Sequence, residues 1–401
     1  MNLPKGVYLS PMVRGSELAI RMLAREKGGA SLCYSPMLRD NDVLAVYQQW
    51  KTNPDRENWK TVHIDSAGRT DNVDETAYLL LHDSCRGDTS NCVVQLCGSS
   101  PTSLGQATAA VLDLFANSNG GTMPAGIDLN LGCPQECASK EGFGAFLVER
   151  NPAAAFSCIA SMRKAINAYQ YNDACPTPTL SAKIRLMKHV DDTIMFIQKL
   201  QQAGIDYIAI HCRHRIDKHD GKPNLDAGRK IVQAIPSLPV ILNGGIGDLE
   251  CANRVMQETQ CHAVMIATGY LRNHQNFNPS KTTKVTAFEV ACEYIDYAEK
   301  YPPPSYLYMQ KHLRWILRDV LQPTNDPSFN KSNYADARVK LWIFLVRPYL
   351  RTIEQFRLFL ALYLKLNCDT GVDNIPQSIN ELIGDVTFKS VKVAGKSSIL
   401  Q

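Results

Sequence analysis

The segment Gly126-Ile127-Asp128-Leu129-Asn130-Leu131 is an apolar run that delivers Asn130, and then Cys133, to the start of a loop. Gly132 and Pro134 constrain the backbone on either side of the thiol. In a barrel of parallel strands the active site lies on the face where the strands end, so a thiol just past a strand meets the substrate. The decapeptide alone fits equally well a small, buried, apolar cysteine. Its company decides between the two readings. Other strand-like runs end in Ser10-Pro11-Met12-Val13, in Gln95, in Lys183 and Arg185, in His211 and Arg213, in Asn243-Gly244-Gly245 and in Ala267-Thr268-Gly269.

These residues need a scaffold that brings strand ends together. Eight short apolar runs recur with helical stretches between them: 7–10, 31–34, 92–96, 126–131, 180–184, 207–211, 240–243 and 263–267. They lack strict alternation and read as strands buried on both faces. The intervening stretches 191–203 and 248–259 have helical periodicity, with Asp248 as an N-cap. The expected fold is therefore α/β, a TIM (β/α)8 barrel, with a doubly wound sheet as second choice. The polar stretch 39–91 reads as an insertion or an irregular active-site loop. Beyond the barrel, 287–300 is helical and Tyr301-Pro302-Pro303-Pro304 breaks it. From Ser305 to about Leu366 the pattern is helical again, with Leu313, Ile316, Leu317 and Val320 on one face and Trp315 assigned to the core. The expected division is a catalytic barrel over 1–285, a smaller all-helical domain over 286–368 and a C-terminal tail over 369–401.

Composition narrows the class. The chain has 401 residues, 45% of them hydrophobic and 20% charged, which suits a soluble globular protein. Its 13 cysteines are odd in number, spread along the chain and never spaced C-x-x-C, so they read as reduced thiols of an intracellular protein. Cys133 and Cys137 find no second ligand pair of matching spacing, so no metal site is expected. No run approaches the length of a membrane span, nor does the start resemble a signal peptide, so no membrane contact is expected. The net charge of +4 conceals an asymmetry, because residues 305–365 hold ten Lys and Arg against four Asp and Glu. That region has the charge balance of a polyanion-binding module or of a solvated helical face.

Taken as one rim, the strand ends suit flavin mononucleotide. Asn243, Gly244 and Gly245, with Ala267 and Thr268, occupy the usual phosphate site of such barrels. Gln95 can hydrogen-bond the polar edge of an isoalloxazine ring. Lys183 can place positive charge near the ring atoms that become electron-rich on reduction. Pro11, Met12, Val13 and His211 complete the candidate cofactor set.

The motifs Ser10-Pro11-Met12-Val13, Ser16-Glu17-Leu18-Ala19-Ile20-Arg21, Leu32-Cys33-Tyr34-Ser35-Pro36-Met37, Asp128-Leu129-Asn130-Leu131-Gly132-Cys133-Pro134-Gln135, Gly142-Phe143-Gly144-Ala145-Phe146-Leu147 and Lys183-Ile184-Arg185 resemble the tRNA dihydrouridine synthase family. The likeness covers nearly the whole barrel and is most similar to the eukaryotic branch acting at positions 16 and 17. The branch acting at 20a and 20b is the close rival. The resemblance implies an FMN enzyme that takes electrons from NADPH and reduces the C5–C6 bond of uridine in the D-loop of tRNA. It implies that Cys133 protonates C5 as flavin N5 delivers hydride to C6. It implies that Asn130 and Arg185, with Arg213, hold the base, while Gln95, Lys183 and His211 hold the flavin. The chain departs from the family pattern at Ser10, at His211-Cys212-Arg213-His214 in place of His-Gly-Arg-Thr, at Ala267-Thr268 in place of Gly-Arg, and at Asn273-His274 in place of Asn-Pro.

A uridine inside folded tRNA must be drawn out of its stack to reach such a pocket, so affinity has to come from the phosphate backbone. Lys311, Arg314 and Arg318, followed by Lys331, Arg338, Lys340, Arg347 and Arg351, are the candidates for those contacts. A monomer in the cytoplasm or nucleus is expected. The competing readings are another FMN barrel acting on a free pyrimidine and a non-catalytic tRNA-binding chaperone. The first lacks a reason for the basic helical appendage, and the second a reason to keep Cys133, Lys183 and His211.

Overall fold

The computed structural model describes residues 3–52, 89–117, 122–171, 176–218, 220–280, 285–322, 335–346 and 350–367. The C-terminal tail, Lys331, Arg347 and the greater part of the 39–91 segment lie outside the described residues.

Nine strands form one parallel sheet among the described residues: β1 (Gly6–Leu9), β2 (Ala30–Tyr34), β3 (Leu38–Arg39), β4 (Cys92–Cys97), β5 (Gly126–Leu131), β6 (Thr179–Leu186), β7 (Tyr207–His214), β8 (Val240–Asn243) and β9 (Ala263–Ile266). Pairing of β2 with β4 closes eight of them into a barrel, and the two-residue β3 lies along the edge of β4. All eight expected runs are the barrel strands. Residues facing out, such as Leu129, Ile184, Ile210 and Leu242, join the core beneath the surrounding helices. Residues facing in, such as Tyr8, Tyr34, Tyr207, Ile241 and Met265, fill the barrel as a second apolar cluster. Both faces are therefore covered, which is why the strands do not alternate in hydropathy.

Local signals set the helix ends. Asn151, Asn224 and Asp248 each accept a backbone N–H at a helix start, and Pro152 occupies the first turn after Asn151. Thr286 and Glu289 form a reciprocal capping box at the start of the helix Ala287–Lys300. The segment after β3 departs from the expected loop, because Asp40–Thr52 is a helix. Val43, Val46 and Trp50 recur at helical spacing within its polar sequence and are buried.

The helices Ala287–Lys300, Tyr306–Ile316 and Ile353–Asn367 pack together, and the first rests on Leu18–Glu26 of the barrel. Leu313, Ile316 and Leu317 face the core as expected. Trp315 does not: it is half-buried, with the Arg318 guanidinium over its ring at 5.6 Å. Among the described residues no helix is long and apolar enough to cross a membrane, and no His, Cys, Asp and Glu cluster could hold a metal ion.

Candidate active site

A period of two carries the candidate residues to the mouth of the barrel. Asp128 and Asn130 on β5, Ser181, Lys183 and Arg185 on β6, and Tyr207, Ala209 and His211 on β7 occupy inward positions of successive layers. The ladders pair Gln95 with Asp128, Asp128 with Ser181, Asn130 with Lys183, Arg185 with His211, and His211 with Asn243. Apolar residues fill the lower layers, and polar and cationic ones the upper.

Cys133 sits at the head of this array on a loop whose backbone is held from two sides. The Gly132 and Cys133 N–H groups donate to Asn130 Oδ1 at 3.1 and 2.9 Å, and the Cys133 carbonyl accepts from Ala145 N at 3.2 Å. Asn130 Nδ2 donates to Gln95 Oε1 at 2.9 Å and approaches Met37 Sδ at 3.4 Å. Asn130, expected to touch substrate, also shapes the thiol loop. Burial pushes the Cys133 thiol up from its ordinary range and Cys137 adds to that, while a Gln135 backbone hydrogen bond, Arg185 and Lys183 oppose it. A half-buried thiol that keeps its proton at neutral pH is a proton donor. Gly144 fits tightly over this loop at φ +64°, and a Cβ there would lie 2.9 Å from both Cys133 Cβ and its carbonyl oxygen. Gly144→Ala should therefore displace the thiol loop. We expect a loss of about 1–3 kcal/mol in denaturant unfolding, together with altered alkylation of Cys133.

The cations lie beside the thiol. Lys183 Nζ donates to Asn243 Oδ1 at 3.1 Å, and Asn243 Nδ2 to the Met265 carbonyl at 2.7 Å. Burial pulls the Lys183 ammonium down to about 8, helped by Arg185 and opposed by Asp128. Burial likewise lowers Arg185 to about 10, so it stays charged at neutral pH. Its Nε donates to the Gly132 carbonyl at 2.9 Å and its Nη1 to the carbonyls of His214 at 3.1 Å and Lys218 at 2.6 Å. Arg185 thereby ties the thiol loop to the loop after β7. Arg213 Nη1 donates to His211 Nε2 at 3.0 Å, and Arg213 also donates twice to the Gly221 carbonyl. An arginine only donates, so the network assigns the His211 proton to Nδ1.

Farther along the same rim, beside His211, Gly244 and Gly245 take φ of +125° and +71°. A Cβ on Gly244 would stand 3.1 Å from His211 Cδ2, and one on Gly245 2.8 Å from Pro223 Cγ. Ala267 and Thr268 follow β9 and open a short helix, with Thr268 exposed. The loop Ser10–Ser16 is fixed by Ser10 N–H to the Ile266 carbonyl at 2.8 Å and by Met12 N–H to Ser16 Oγ at 3.0 Å. Pro11 and Met12 are half-buried there and Val13 is exposed. Lys311 Nζ donates to the Val13 carbonyl, which brings the basic helix Tyr306–Ile316 to the barrel mouth. Arg314 is half-buried on that helix and its guanidinium is lowered by burial. Arg318 lies just beyond, with its Nε on Gln322 Oε1 at 2.8 Å.

Sequence reasoning missed Asp128 and Ser181, which lie deeper in the barrel below Gln95. The signal was present, since an aspartate in the middle of an apolar strand, two residues before Asn130, must face inward. It also missed Glu17 and His312, both fully buried, with His312 Nε2 2.8 Å from Glu17 Oε1. Two departures from the family pattern acquire a physical account. Cys212 is an outward core residue of β7 over Gly228, with no left-handed backbone that would require glycine. His274 is buried, with Nε2 2.7 Å from Glu293 Oε2 on the helix Ala287–Lys300.

The family described as Dihydrouridine synthase (Dus) matches residues 8–334. A tRNA-dihydrouridine(16/17) synthase-like protein, NAD(P)(+), of Rattus norvegicus is 29% identical over 316 residues, covering 78% of this chain and 60% of its own length. A tRNA-dihydrouridine(20a/20b) synthase-like protein, NAD(P)+, of Homo sapiens is 27% identical over 321 residues, covering 80% of this chain and 84% of its own. The tRNA-dihydrouridine(16/17) synthase of Saccharomyces cerevisiae is 29% identical over 277 residues, covering 68% and 54%. This chain thus spans somewhat more than half the length of the 16/17 relatives.

Proposed function

The chain belongs to the dihydrouridine synthase family, and from that premise we propose that it reduces uridine to 5,6-dihydrouridine in the D-loop of tRNA, at positions 16 and 17, using FMN and NADPH. One observation carries the proposal: a protonated thiol, Cys133, stands at the barrel mouth with two cationic side chains, Lys183 and Arg185, electrostatically coupled to it. The side-chain-free turn at Gly244 and Gly245 and the ammonium of Lys183 fit the phosphate and the electron-rich edge of a flavin. Gln95, His211, Asn243, Ala267 and Thr268, with Pro11, Met12 and Val13, are the residues we assign to holding it.

FMN, when bound, supplies a hydride to C6 of the uracil. Cys133 gives its proton to C5 and is left as a thiolate. Arg185 and Lys183 favour that thiolate at the moment it forms, and solvent restores the proton. Asn130 keeps the loop in place throughout, and with Arg185 and Arg213 it makes up the residue set we assign to holding the base. Lys311, Arg314 and Arg318 extend the cationic surface from the rim along the helical region, where tRNA phosphates would lie.

The test is a visible spectrum of the purified protein and a map of dihydrouridine in tRNA from cells lacking it. We expect a flavin spectrum and loss of the modification confined to positions 16 and 17. Loss at 20a and 20b would keep the chemistry and move the position. A colourless protein with unchanged tRNA would overturn the reading.

A further inference from the structure

We propose that Asp128 is a positioning residue for Cys133: buried two layers below the thiol, its carboxylate polarises a chain of two amides that holds the Cys133 loop in place. The proposal rests on the reading of Cys133 as proton donor.

The chain runs head to tail without a break. Ser181 Oγ donates to Asp128 Oδ1 at 2.6 Å and Gln95 Nε2 donates to Asp128 Oδ2 at 2.8 Å. Asn130 Nδ2 donates to Gln95 Oε1 at 2.9 Å, and the N–H groups of Gly132 and Cys133 donate to Asn130 Oδ1. Both ends impose the same direction. A backbone N–H can only donate, so Asn130 must present oxygen to the loop, and Gln95 must then present oxygen to Asn130. A carboxylate can only accept, so Gln95 must present nitrogen to Asp128. Each donated bond polarises the next, so charge at the foot strengthens the grip at the head.

Asp128 is costly where it is. Burial raises its carboxyl to about 6, although Ser181, Gln95 and Lys183 each pull the other way. The groups facing it are Gln95 from β4, Ser181 and Lys183 from β6, and the hydroxyls of Tyr34 and Tyr207, which hydrogen-bond each other at 2.7 Å. A carboxyl raised above its unfolded value favours the fold most when neutral. That contribution is complete below the unfolded value and is lost as pH rises through about 6. At pH 7.5 the protein therefore holds a charge that weakens the fold, in a place where asparagine would be cheaper.

The experiment sets local order against global stability in Asp128→Asn. At pH 7.5 we expect this variant to unfold at higher denaturant than wild type. Its Gly132 and Cys133 amide protons should nevertheless exchange about fivefold faster, the worth of roughly one hydrogen bond. Its kcat for dihydrouridine formation should fall by a similar factor with KM for tRNA unchanged. The wild-type kcat should decline below about pH 6, and that limb should be absent from the variant. Ser181→Ala, which removes a hydrogen bond that lowers Asp128, should move the limb to higher pH. Wild-type exchange at Gly132 and Cys133 in Asp128→Asn, or an acid limb unmoved by Ser181→Ala, would overturn the proposal. Absence of dihydrouridine formation in wild type would instead refute the functional reading, and the exchange measurement would still decide this one.

Discussion

On the proposed chemistry, Cys133→Ala should retain bound flavin and the oxidation of NADPH and lose dihydrouridine formation by about 10²–10⁴-fold, the usual contribution of a general acid. The size of the loss follows from what remains. Cys137 packs against the same small cluster, which also contains Cys97, but the Cys97 thiol is buried and held far above its ordinary range. Cys137 and Lys183, the latter at about 8, are the other described proton sources coupled to the Cys133 thiol. If Lys183 substitutes as acid, the residual rate should fall as pH rises through about 8; if water substitutes, it should show no such limb. Single-turnover reduction of tRNA by the pre-reduced enzyme isolates this step from flavin reduction. A wild-type rate in that assay would remove Cys133 from the chemistry.

The fold was legible because each barrel strand is a short, largely apolar run between polar stretches, and because Asp248 and the 287–300 pattern mark helix ends in sequence as they do in space. The rim was legible for a related reason. Polar residues at strand ends have no business in a core, so Asn130, Lys183, Arg185, His211 and Asn243 stood out. What stayed hidden depends on pairing across distance. Asp128 meets Ser181 across 53 residues and Gln95 across 33. His312 meets Glu17 across 295. A lone buried carboxylate looks like an error in a strand until its partner on another strand is known. Asn130 shows a subtler limit: its type and place suggested a substrate contact, but not that its amide also joins Gln95 to the Gly132 and Cys133 N–H groups.

The second large effect concerns the joint between the barrel and the helical region. Glu17 and His312 are both fully buried, with His312 Nε2 2.8 Å from one Glu17 oxygen and 3.0 Å from the other. Tyr294 donates its hydroxyl to the same carboxylate at 3.3 Å and lays its ring against the imidazole, centroids 4.5 Å apart. Burial alone would raise the Glu17 carboxyl, but the charge and hydrogen bond of His312, a backbone hydrogen bond and Arg21 outweigh it and leave it lowered. Its ionisation therefore stabilises the fold above the unfolded carboxylate range, and that contribution is lost as pH falls through the lowered value. His312→Leu strands the carboxylate, and we expect a loss of about 3–5 kcal/mol in denaturant unfolding at neutral pH. The deficit should narrow as pH falls, because the stranded carboxyl then takes up a proton and the wild type forfeits its own advantage. Glu17→Leu combined with His312→Leu should recover most of the loss, since an apolar pair needs no compensation for buried charge. Additive losses in the double variant would show that the two residues act separately. The helix bearing His312 also bears Lys311, whose ammonium reaches the Val13 carbonyl at the barrel mouth, and Arg314. The pair therefore helps to hold that helix against the barrel. If that placement guides the base into the pocket, His312→Leu should raise KM for tRNA while leaving NADPH oxidation unchanged, at temperatures where the variant remains folded.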